Sequence, residues 1–109
     1  MPHYLLRLKQ SPETFQSMIA KPEDRRATVG PLLEQAGGKL HGLWYAFGEY
    51  DVLALVELPD NVTAAAVITT VAASGAFSGG ETTVLLTVEE MVEALGKAGS
   101  IAYRPPGSG

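Results

Sequence analysis

Polar and apolar residues alternate from the start of the chain. In HYLLRLK, residues 3–9, Tyr4, Leu6 and Leu8 fall on one side of an extended strand, and His3, Leu5, Arg7 and Lys9 fall on the other. The period then changes. Ser11 followed by Pro12 marks a helix start: the serine oxygen can accept from a free backbone N–H, and proline in the first turn has no N–H to leave unpaired. Phe15, Met18 and Ile19 make one helical stripe, and Val29, Leu32, Leu33 and Ala36 make a second at i, i+3, i+4, i+7. Pro22 separates these two helical pieces, Pro31 starts or kinks the second, and Gly37 and Gly38 end it.

Two further extended segments, KLHGLWYAFG (39–48) and YDVLALVELP (50–59), meet at Gly48 and Glu49 and predict a hairpin. Asp60 and Asn61 cap a helix whose stripe is Ala64, Val67, Ile68 and Val71, and GAFSGG breaks it. ETTVLLTV (81–88) reads as the fourth strand. Thr87 with Glu90 is a capping box that starts a short last helix through Met91 and Leu95 to about Lys97. The chain thus divides into one domain, residues 1–98, and a Pro/Gly-rich tail, 99–109. The order strand, helix, strand, strand, helix, strand predicts an α+β fold. Right-handed crossovers put both main helices on one face of a four-stranded antiparallel sheet of order 4-1-3-2.

Such a sheet leaves its other face bare, so its strands should alternate apolar with polar. They do not. Unbroken alternation places Leu5, Leu43, Tyr45, Phe47, Leu53, Leu55 and Leu85 on the helix-free side, with Trp44 turned toward the helices. That amounts to an apolar patch on the order of several hundred Å², the upper range of what monomers expose. A homodimer joined through this sheet face is the expected remedy.

Composition narrows the function. A net charge of −4 and a pI near 5.0 supply no basic surface for nucleic acid. With no cysteine, disulfide, thiolate and cysteine–zinc chemistry are excluded, and a reducing cytoplasm is the expected compartment. Arg7 and Lys9 interrupt the first apolar stretch, which therefore reads as neither a signal peptide nor a membrane span.

Asp51 is the sharpest candidate for chemistry. It opens the third strand on the parity of Leu53 and Leu55, where Arg7, Lys9 and His41 also fall. Asp51 beside His41 would give a proton-transfer pair; equally, Asp51 could cap a turn and His41 could be a hydrogen-bonded strand residue. Trp44, Tyr45, Phe47 and Tyr50 lie within seven residues and could line a ligand site or simply pack. Arg25 and Arg26 beside Asp24 read as a solvated face. His3, His41 and Asp51 can be drawn as a metal triad, but no fixed ligand spacing supports it, so neither metal nor cofactor is expected.

The stretch AFGEYDVLALVELPD, with Gly48, Glu49, Tyr50 and Asp51 in its turn, resembles the signature of the GYD family of small bacterial proteins. The resemblance runs through GGKLHGLWYAFG (37–48), LPDNVTAAA (58–66) and LLTVEEM (85–91), and covers about residues 2–98. It implies a ferredoxin-like βαββαβ fold of the dimeric α/β-barrel group, and no established activity. The wider group looks like a mixture of cofactor-free monooxygenases, isomerases, haem enzymes and amino-acid-sensing modules. Gly30-Pro31 departs from the uninterrupted helix expected there.

Two functions are compatible with these residues. One is a cofactor-independent enzyme of isomerase or monooxygenase type, with Asp51 and His41 catalytic and Arg7, Trp44, Tyr45 and Tyr50 binding the substrate. The other is a non-catalytic ligand-binding or assembly module whose sheet face serves dimerisation.

Overall fold

The computed structural model describes residues 1–107; Ser108 and Gly109, at the end of the tail, lie outside it. The elements run β1 (His3–Gln10), α1 (Pro12–Ala20), α2 (Arg26–Gln35), β2 (Lys39–Tyr45), β3 (Val52–Glu57), α3 (Asn61–Ala73), β4 (Phe77–Leu85) and α4 (Val88–Ala98). All strand pairs are antiparallel and the order is β2-β3-β1-β4, the expected topology read from the other edge. This is a ferredoxin-like α+β sheet.

The helix starts are those their residues dictate. Ser11 accepts from the Thr14 backbone N–H, Asp60 from that of Thr63 at 2.7 Å, and Thr87 and Glu90 close a reciprocal capping box. These bonds to the charged form hold the Asp60 and Glu90 carboxyls below their ordinary range. Before α2, the Arg26 guanidinium forks onto Asp24 and lowers that carboxyl to about 2. Pro31 does not start α2 but lies inside it, on the exposed side, where water can meet the carbonyl it leaves unpaired.

One layer of core lies between helices and sheet. Tyr4 and Leu6 of β1, Ala54 and Val56 of β3, and Leu58 just beyond it meet Leu33 of α2 and Ala64 and Val67 of α3. The Tyr4 hydroxyl leaves this layer by donating to Asn61 Oδ1 at 2.6 Å. Along β3, buried Val52, Ala54 and Val56 alternate with half-buried Leu53, Leu55 and Glu57, so two apolar leucines do point away from the helices.

Two local departures matter. GAFSGG, expected as a break, contains the first half of β4: Gly79 and Gly80 pair with Lys9 and Leu8. A Cβ on Gly80 would stand 2.8 Å from the Arg7 carbonyl, so glycine is what lets the strands close there. The larger departure is in β2. Leu40 pairs with Val56 and Gly42 with Leu55, leaving His41 as an extra residue in a β-bulge. Everything after the bulge changes side. Leu43 and Tyr45 therefore face the helices, opposite Ala54 and Val52, while Trp44 stands on the helix-free face opposite Leu53. This reverses the orientation expected from unbroken alternation. Gly42 completes the device, because the Trp44 ring folds back over it and would collide with any side chain there.

The C-terminal part extends away from the sheet. Every residue from Val88 to Gly107 is exposed, including the stripe Val88, Met91, Val92 and Leu95 on α4. The radius of gyration is 17.9 Å, whereas a compact chain of this length would have about 13 Å. Among the described residues no helix is long and apolar enough to cross a membrane.

Candidate functional site

A cavity lies on the helix side of the sheet, near the end of β1 and the start of β3. It has a volume of about 240 Å³ and is walled by Val29 and Leu32 of α2, Leu43 and Val52 of the sheet, Val71 of α3 and Phe77. A smaller recess of about 70 Å³, entirely apolar, shares these six residues and reaches toward Leu6 and Leu33. The polar lining is sparse and mostly occupied. Thr14 donates to the Ala76 carbonyl, Thr70 to Ala66 and Ser74 to Val71.

Gln10 is different. Its residue is 8% exposed, its Nε2 donates to Met18 Sδ, and its Oε1 is buried without a partner. Buried carbonyls are nearly always paired, so this acceptor, with no partner among the described residues, is an exception beside the cavity that the Gln10 residue helps to line. A β-bulge at Lys9/Gln10 accompanies the placement of Gln10 opposite Phe77. Thr28, Tyr45 and Arg25 line the same space, the last with its guanidinium 3.9 Å from Glu23. Among the described residues no carboxylate or imidazole lines this cavity.

The residues singled out from sequence are dispersed. Asp51 Oδ2 accepts the Gln10 backbone N–H at 3.1 Å, while the Asp51 N–H donates to the Leu8 carbonyl and its own carbonyl accepts from Ala46. It ties the hairpin mouth to the end of β1, as a turn-capping aspartate does. His41 lies at the far end of the strands, opposite the Leu55–Glu57 region. Four to six strand residues separate the two, roughly 13–20 Å, so they form no proton-transfer pair within one chain. Arg7, on the helix-free face, donates to Thr83 Oγ1 at 3.1 Å and lies 3.6 Å from Glu81. Tyr50 joins that group; burial and the Glu81 and Glu49 carboxylates push its phenol above the ordinary range. Trp44 is on the same face. Only Tyr45 of the expected set lines the cavity, and it does so because the bulge reversed its side.

A second cluster was missed from sequence. His3, His41 and Glu57, on the neighbouring strands β1, β2 and β3, hold their ligand atoms within 4.8 Å of one another on the helix-free face. His3 Nε2 is 2.9 Å and His41 Nε2 3.8 Å from the same Glu57 Oε1, and the two rings stack at 5.4 Å. A glycine inside a strand is a recognised signal for a bulge, and Gly42 beside His41 carried that signal.

A ferredoxin-like sheet hosts many unrelated functions, so function rests on the site and not on the fold. The chain belongs to the GYD-domain family, whose profile matches residues 4–95, β1 through most of α4. A comparison with curated proteins gives no match.

Proposed function

We propose that this protein is a homodimeric small-molecule-binding protein whose ligand occupies the helix-side cavity. The observation that carries this reading is a largely apolar cavity of about 240 Å³ with Arg25 in its lining. Arg25 at the rim suits a negatively charged group, and the apolar walls suit a compact hydrocarbon or aromatic body. The cavity is smaller than the roughly 300 Å³ at which pockets for drug-sized ligands begin, so the ligand is correspondingly small.

Binding is favoured over acid–base catalysis because, among the described residues, no carboxylate or imidazole borders the space and Asp51 is committed to the backbone. The proposed dimer packs the two helix-free faces together, as Leu5, Leu53, Leu55, Leu85 and Trp44 on one otherwise uncovered surface suggest. That pairing is the dimeric α/β-barrel arrangement. A cytoplasmic setting accords with a chain that carries no cysteine.

The test is a thermal-shift panel of small carboxylic acids, each with an apolar body and one hydroxyl or amide N–H. At least one member should stabilise the protein, and Arg25→Gln should weaken that member about fivefold or more. Val29→Trp, which fills the cavity, should abolish the shift. Stabilisation that persists unchanged in both variants would place the ligand elsewhere.

A further inference from the structure

The geometry points to a divalent transition-metal site formed by His3, His41 and Glu57 on the helix-free face, independent of the helix-side cavity. Two imidazoles and one carboxylate are a donor set that zinc, cobalt and nickel accept readily. Metal–ligand bonds of about 2.0–2.2 Å at tetrahedral angles place donor atoms roughly 3.4 Å apart. The distances from Glu57 Oε1 to the two Nε2 atoms, 2.9 and 3.8 Å, bracket that value. Small side-chain rotations, with no movement of the strands, would seat an ion and leave at least one position for water.

The backbone is what makes the cluster. Glu57 lies on β3, between the strands that carry the histidines. On β2, Lys39 and His41 fall on the same side as Glu57, and His41, the extra residue of the bulge, has its ring near that carboxylate and stacked on His3. Lys39 stands across from Glu57 in the ladder, yet the close ionic neighbours of Glu57 are the two imidazoles. His3 Nδ1 is buried, which leaves Nε2, already directed at Glu57, as its available donor. Side-chain exposures of 24–32% leave the three groups open to an entering ion in the single chain, before the proposed dimer covers this face. Ligands fixed on three paired strands are held more precisely than ligands on loops. The triad drawn from sequence used Asp51, at the other end of β3, in place of Glu57, and was set aside for want of a fixed ligand spacing.

The experiment is a titration of chelator-treated, full-length protein with Co²⁺, read by the visible d–d absorption of the bound ion, followed by competition with Zn²⁺. One Co²⁺ per chain is expected, displaced by Zn²⁺. Glu57→Gln and His41→Ala should each weaken Co²⁺ at least tenfold, since removal of even an outer hydrogen-bond partner of a metal ligand costs that much. Asp51→Asn should leave the affinity unchanged. His41→Ala alters the extra, unpaired residue of β2 and preserves the ladder, so it carries the test if Glu57→Gln proves unstable. No saturable uptake at one ion per chain would overturn the site. So would equal affinity in wild type and His41→Ala, the result if His3 or the amino terminus alone held the ion.

Discussion

Leu55→Glu should turn the proposed dimer into a monomer. Leu55 sits near the middle of the sheet, on the central strand β3, between Leu5 of β1 and Gly42 of β2. In a single chain it is only half-buried, so a glutamate there can reach water and the fold survives. Between two sheet faces it cannot. The substitution buries an unpaired carboxylate from each copy near the centre of the contact and sets like charges close together. A penalty of at least 3–5 kcal/mol, a weakening of about two to three orders of magnitude or more, is expected. Sedimentation velocity across a range of concentrations checks it. The wild type should sediment as a dimer and Leu55→Glu as a monomer with an unaltered circular dichroism spectrum. A wild type that sediments as a single chain at tens of micromolar would remove the sheet-face interface altogether.

Leu58→Ala should produce the largest loss of stability. Leu58 is fully buried where β3 ends, its N–H donates to the Pro2 carbonyl, and it packs in the layer between sheet and helices. Truncation removes buried methyl groups and leaves a hole between the sheet and helices α2 and α3. The cost is about 2–5 kcal/mol. For a domain of this size that lowers Tm by roughly 10–20 °C. Leu95→Ala on α4 is the control: its side chain is mostly exposed, so the loss should stay below about 0.5 kcal/mol in the isolated chain. Similar losses in the two variants would mean that α4 is covered, by the chain itself or by its partner.

Much of the architecture was legible before the structure. Caps at Ser11, Asp60 and Thr87 are local chemistry, decided within three residues, and each stands where it was expected. The strand order followed from element order and handedness alone. What failed was parity. A single added residue at His41 is invisible to a two-residue period, and its consequence reaches Leu43, Trp44 and Tyr45. The cavity depends on that residue: Tyr45 reaches it only because the strand shifted, whereas His41 lies on the Glu57 side with or without the shift. Gln10 was overlooked for another reason. A glutamine at a strand end carries no motif, and the significance of its carbonyl arises from what the surrounding fold fails to offer it.

The reversal of β2 has a practical consequence. Trp44 is the only tryptophan of the chain, and the bulge sets its indole on the sheet surface proposed to be shared between copies, away from the helix-side void. The emission colour of the protein is therefore a built-in gauge of self-association, moving to the red on dilution as the ring becomes wet, while a guest among the helices leaves it dark to the change.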